Sequence, residues 1–334
     1  MTAWISAHRP ALLLALLSPG IAELLTGSTP VTGLVVAPLS FAVSFALLMC
    51  FYGGGALLIR EAAIRWNKGW ASILLLGAAY GVVEEGLAVH TFFQPGGAPV
   101  FGLGAYGRVG GVDVLWAVGL TLFHAVYSIA LPILLVRLAY PETEHRPFLG
   151  RRGPWLVGVG YVVTVALFAA STPNFPSIGL FLATVAVVVA LVLAARWTPR
   201  EMLRARSGPP RARPRTFAIA GASFMTGWLV FGIAAPGWIP WPAVAVGALL
   251  GLSAVLLGFV RSAAGSVGNS SAKYWFPVGL VGFFVPWDVI LDLGAVPGIL
   301  AVTALMVAFL YWLRGRSQRS VGTGAGRASA AGSG

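Results

Sequence analysis

Ten apolar runs constrain this chain more than any other feature. They lie near residues 11–27, 34–59, 70–93, 112–138, 154–170, 178–195, 216–234, 243–260, 275–293 and 295–313. A membrane-spanning helix needs roughly 20 predominantly apolar residues. It also satisfies its own backbone hydrogen bonds, which lipid cannot do. Of 334 residues, 58% are hydrophobic and only 10% charged, against about 25% charged in soluble domains. That much apolar surface cannot be hidden inside a soluble globule. A soluble enzyme and a disordered chain are excluded, and a single cysteine, Cys50 within an apolar run, excludes a disulfide scaffold. The expected fold is all-α, a polytopic transmembrane helix bundle of about ten spans. It forms a single membrane domain over residues 1–313, followed by a disordered cytoplasmic tail at 314–334 rich in Arg, Ser, Gly and Ala.

The basic residues orient the bundle. Of the 22 Lys and Arg residues, 21 fall at the N-terminus, in the even-numbered connections or in the tail, and only Arg108 lies in an odd-numbered one. By the positive-inside rule both termini are cytoplasmic. The net charge of +12 is therefore a topology signal. It predicts contact with the lipid bilayer, including anionic headgroups near the Arg-rich sixth connection, and no nucleic-acid partner. Arg outnumbers Lys 20 to 2, which points to a GC-rich prokaryotic source and a multi-pass protein of the plasma membrane. The start of the first run also has the layout of a signal peptide, His8-Arg9 followed by the apolar stretch Ala11–Leu17 and then the small residues of Gly20-Ile21-Ala22. Pro19 and Glu23 suit a short, broken first span equally well.

The acids locate the candidate site. Glu142, Glu144, Glu201 and Glu61 read as solvated charges in cytoplasmic loops or at a span end. The other six, Glu23, Glu84, Glu85, Asp113, Asp288 and Asp292, lie within or at the edge of spans, all toward the non-cytoplasmic side. A charge near the bilayer centre costs about 2.5–3.5 kcal/mol on insertion scales, so such residues face a cavity, a partner or one another. Glu84 and Glu85 are adjacent. At about 100° per residue they are expected to diverge, one lining a cavity and the other bonding a neighbouring helix. Asp113 and His124 share a face of the fourth span but lie roughly 16 Å apart, with Ser128 one turn beyond His124. His90 is expected at the membrane interface. Asp288 and Asp292 sit one turn apart on the ninth span, and Glu23 follows the Pro19 break. The candidate catalytic set is thus Glu84, Glu85 and His124. Glu23, Ser128, Asp288 and Asp292 are secondary candidates to line a cavity.

Other signals are discounted. Gly102-Leu103-Gly104-Ala105-Tyr106-Gly107 matches a dinucleotide-binding pattern, but no strand precedes it and it lies between spans. CxxC, HExxH and GxSxG motifs are absent from the sequence. No metal and no cofactor is expected.

The double glutamate on one span with a histidine on the next resembles the CAAX prenyl protease and bacteriocin-processing (CPBP) family of intramembrane endopeptidases. That family shows EExxxR, then FxxxH, then HxxxN or HxxxD on successive spans. Here Glu84-Glu85-Gly86-Leu87-Ala88-Val89 places Val89 at the arginine position, and Leu120-Thr121-Leu122-Phe123-His124 places Leu120 at the first aromatic position. The third motif has no counterpart, and the resemblance covers residues 70–138. It implies that Glu84 and His124 activate a water for attack on a peptide carbonyl, supported by Glu85, or that the chain is a divergent, inactive relative. Two other readings stay open. One is a proton- or cation-coupled transporter of 5+5 spans binding ions at Glu23, Glu84, Glu85, Asp288 and Asp292. The other is a non-catalytic membrane scaffold. The substrate, a peptide or a small solute, is not legible.

Overall fold

The computed structural model describes residues 2–96, 103, 105–204, 208–209, 211–264 and 270–331. The architecture is an all-α helical bundle. Helix α1 covers residues 2–24. It is followed by α2 (Pro38–Arg65), α3 (Trp70–Ala88), α4 (Val114–Ala139), α5 (Gly153–Ser171), α6 (Ile178–Trp197), α7 (Pro214–Trp238), α8 (Pro242–Ala263) and α9 (Ala272–Leu293). The last helix, α10, covers Ile299–Ala331. Among the described residues, nine helices, α2 to α10, are long and apolar enough to cross a membrane. Helix α1 is the tenth long helix. His8, Arg9 and Pro10 dilute its first half, yet it packs on α2 and α4 and buries Leu14 and Ile21 completely.

Helices α3 and α4 form the centre of the bundle, while α5 and α6 turn most of their surface outward. Two glycines one turn apart on α3 set how closely α4 approaches. A Cβ at Gly77 would lie 2.9 Å from the Cα of Ala125, and one at Gly81 would lie 3.0 Å from the Cβ of His124. Lipid supplies no hydrophobic drive between spans, so this backbone-to-backbone fit holds the pair together through dispersion.

A two-stranded hairpin lies between α3 and α4: β1 (Arg108–Val109) pairs antiparallel with β2 (Val112–Asp113), in the register Arg108↔Asp113 and Val109↔Val112. Asp113 caps α4 by accepting from the Trp116 amide at 3.2 Å, satisfying one of the free amides at a helix start. Gly102 and Gly104 of the discounted glycine pattern lie outside the described residues.

Helix α10 continues as far as Ala331, into the tail expected to be disordered over 314–334, of which residues 332–334 lie outside the described residues. The tail contains no proline and extends a helix already formed, so each residue propagates the helix without having to nucleate one. Glu61 is buried and not solvated. It pairs with Arg60 at 3.4 Å and Arg65 at 3.1 Å and accepts from the Phe148 amide at 2.6 Å. Arg60 in turn donates to the carbonyls of Thr143 and Arg146, tying the α4–α5 connection to the end of α2.

Candidate functional site

Four helices contribute to one cluster, each from a π-helical turn. In α1 the turn is Gly20–Leu24 and carries Glu23. In α2 it is Met49–Gly53 and carries Tyr52. In α3 it is Val83–Ala88 and carries Glu84 and Glu85. In α4 it is His124–Ala130 and carries His124 and Ser128. A π turn bonds i to i+5, widens the helix locally and re-aims its side chains, and such turns concentrate at functional sites.

Prolines contribute to this geometry. Pro132 has no N–H for the Ser128 carbonyl four residues earlier, and that carbonyl accepts from Ser18 Oγ of α1 at 2.5 Å. Pro19 frees the Ala15 carbonyl in the same way, and Gly53 of α2 packs directly on Ala15.

His124 is the centre of the cluster. Its Nε2 lies 2.9 Å from Glu85 Oε1. Its Nδ1 shares a hydrogen bond with Ser128 Oγ at 2.8 Å and lies 3.1 Å from Glu84 Oε2. The hydrogen-bonding direction of Nδ1 is taken by Ser128, so its contact with Glu84 is electrostatic. Among the described residues, Glu84 Oε2 has no hydrogen-bond partner. The far oxygens extend the network: Thr91 donates to Glu85 Oε2, and Tyr52 Oη contacts both Glu84 Oε1 and Glu23 Oε1. Thr29 donates to Glu23 Oε2 at 2.7 Å. Glu84 and His124 are each 3% exposed and Glu85 7%, so charge here is balanced inside the cluster and not by solvent.

Aromatic rings enclose the imidazole. Phe123 meets it edge-on with centroids 5.3 Å apart, Tyr80 at 6.1 Å and Tyr52 at 6.3 Å. Tyr80 lies at the margin of hydrogen-bond distance from Glu84, and its buried hydroxyl completes no hydrogen bond of good geometry among the described residues.

This arrangement answers the expectations one by one. Glu84, Glu85, His124, Ser128 and Glu23 come together. The two glutamates do not diverge: the π turn and the two opposite nitrogens of one imidazole let both reach His124. Asp288 and Asp292 bond elsewhere. Asp288 is fully buried and accepts from Thr303 of α10, and Asp292 accepts from the Leu300 amide at 3.3 Å. His90, two residues beyond the end of α3, is fully buried within the protein, in a left-handed conformation (φ 57°). Its ring meets Phe175 edge-on at 5.1 Å.

Tyr52, Tyr80, Thr29 and Thr91 escaped the sequence reading, because a tyrosine or threonine in an apolar run is ordinarily packing. The spacing Gly77-Ala-Ala-Tyr-Gly81 was the available signal that α3 and α4 pack tightly here.

A metal ion also fits the donor set better than the sequence suggested. One atom each from Glu84, Glu85 and His124 lie within 4.8 Å of one another, and three protein ligands with an open fourth position is the pattern of catalytic zinc. The His124–Glu85 contact has hydrogen-bond length, and an ion would have to spread it to about 3.3 Å for tetrahedral bonds of about 2.0–2.1 Å.

No curated protein and no solved structure matches the chain. A family model described as an uncharacterized membrane protein family matches residues 12–331, and the chain belongs to that family.

Proposed function

We propose that this multi-pass membrane protein is an intramembrane hydrolase that uses Glu84 as general base on water and then as general acid, with His124 beside it as its charge partner. The carrying observation is the free Glu84 Oε2 beside an imidazole that Glu85 and Ser128 hold from opposite edges. A base needs an open lone pair within reach of the proton that it takes and later returns. Glu85 and Ser128 are positioning residues for the ring. The Tyr80 hydroxyl, beside Glu84 and without a hydrogen bond of good geometry, would donate to the oxyanion of a tetrahedral intermediate, the part that the motif resemblance left unassigned.

The balance of the step is simple. Water gives its proton to Glu84 as its oxygen bonds the carbonyl carbon. The leaving amine then takes that proton from Glu84 as the C–N bond breaks, so Glu84 ends as the carboxylate it began as, with the His124 imidazole beside it balancing its charge. The substrate class is a membrane-embedded peptide, in keeping with the resemblance of Glu84-Glu85 and His124 to the CPBP motifs, and the proposed location is a prokaryotic plasma membrane.

The test is a comparison of protein N-termini in membranes of cells expressing wild type, Glu84→Gln or His124→Asn, after matching folded protein levels. The proposal expects termini made by wild type alone. Identical termini in all three would overturn it. A second reading, proton-coupled transport, draws on the chain of titratable groups from Glu23 through Tyr52, Glu84 and His124 to Glu85. It expects wild type, and not Glu84→Gln, to acidify dye-loaded liposomes under a proton gradient.

A further inference from the structure

The contact between Tyr52 and its two glutamates contains a proton count. A phenol carries one proton, yet Tyr52 Oη is in hydrogen-bond contact with a carboxyl oxygen of Glu23 and with one of Glu84. The phenol donates to one of them. Two lone pairs would otherwise repel across the second contact, so the second carboxyl holds a proton and donates it to Oη. The trio therefore carries two protons on three groups. It has two arrangements, one with the carboxyl proton on Glu23 and one with it on Glu84.

These arrangements interconvert by a concerted shift. The Glu23 O–H bond breaks as a new bond forms to Tyr52 Oη, and the phenol's original proton passes to Glu84. Tyr52 ends neutral, as it began, and the net result is one proton moved from Glu23 to Glu84.

The two ends of the trio differ in depth. Glu84 is buried at the centre of the bundle. Glu23 is half-buried, bonded to Thr29, and leads into the exposed turn around Ser28 and Pro30. That connection between α1 and α2 contains no Lys or Arg, which makes it non-cytoplasmic by the charge rule.

We infer that Glu23 and Tyr52 form a proton-exchange arm that loads and unloads Glu84 from the non-cytoplasmic face. The inference rests on Glu84 being the working base of the proposed hydrolase, but proton exchange itself requires no substrate. The titratable groups facing the arm are Glu85 of α3, His124 of α4, Tyr80 of α3 and Tyr161 of α5. Of these, Glu85 and His124 bond each other, and among the described residues neither Tyr80 nor Tyr161 hydrogen-bonds Glu23. Within the cluster, Tyr52 is thus the bridge between Glu23 and Glu84.

The test follows the protonated-carboxyl C=O stretch by infrared spectroscopy of the full-length protein in nanodiscs, after a switch from water to deuterium oxide. Glu84→Gln identifies the band. The inference expects Tyr52→Phe to slow its exchange at least several-fold, measured at a temperature where both proteins are fully folded. Glu23→Gln keeps the phenol and should slow exchange as well. Wild-type exchange rates in both variants would overturn the arm. Cleaved termini without a slowed exchange would keep the hydrolase and reject the arm; slowed exchange without cleavage would do the reverse.

Discussion

Replacing His124 by leucine removes the group between two buried carboxyls, and the size of the effect can be worked from the contacts. At 3.1 and 2.9 Å, an effective dielectric of about 20 gives each contact about 5 kcal/mol of gross attraction. Desolvation of the partners offsets much of this. Removing one member of a buried pair typically leaves a net loss of about 3–5 kcal/mol, because the remaining charge is uncompensated. That is a large part of the roughly 5–15 kcal/mol that stabilises an ordinary domain. Glu84→Leu, Glu85→Leu and His124→Leu together remove every member, and such apolar replacements are typically neutral or stabilising by about 1–4 kcal/mol. The triple variant is therefore expected to be more stable than His124→Leu alone. Reversible unfolding of the single and triple variants in bicelles measures the coupling. Costs that simply add to within about 0.5 kcal/mol, the behaviour of independent sites, would refute the reasoning.

Two further outcomes follow from packing and hydrogen bonding. Gly81→Leu should overpack the α3–α4 contact by about 1–3 kcal/mol and push His124 from Glu85, whereas Gly158→Ala, with nothing within 4 Å, should be harmless; thermal unfolding of both checks this. Thr303→Val leaves the buried Asp288 without its hydroxyl partner and should lower stability by about 1–3 kcal/mol, with Thr303→Ser restoring it in the same assay.

The bundle was legible because one simple physical demand wrote it. Spans need apolar length, so most of the ten runs lie close to observed helices. The exceptions have local causes. Helix α2 runs on to Arg65 because Arg60 and Glu61 satisfy each other and the neighbouring connection, which a hydropathy reading cannot see. The site was legible only as a set of out-of-place polar residues. Glu84, Glu85, His124, Glu23 and Ser128 all stood out as polar groups in lipid, and they do converge. Their convergence depends on π turns, whose extra residue breaks the 100° arithmetic applied to Glu84 and Glu85. It depends also on Tyr52 and Tyr80, whose polarity is hidden in a hydrophobic alphabet. Asp288 and Asp292 looked equally out of place, yet their partners lie one hairpin away on α10. Depth in the membrane shows that an acid must be satisfied; only the fold shows by whom.

The central claim is that one imidazole is held by Glu85 at one nitrogen and by Ser128 and Glu84 at the other. Nitrogen-15 solid-state NMR of histidine-labelled protein in lipid, with His124 assigned by its absence in His124→Asn, tests it most directly. The account predicts hydrogen-bonded resonances at both ring nitrogens, the Nε2 signal moving in Glu85→Gln and the Nδ1 signal in Ser128→Ala. Ring nitrogens indifferent to both substitutions would contradict it.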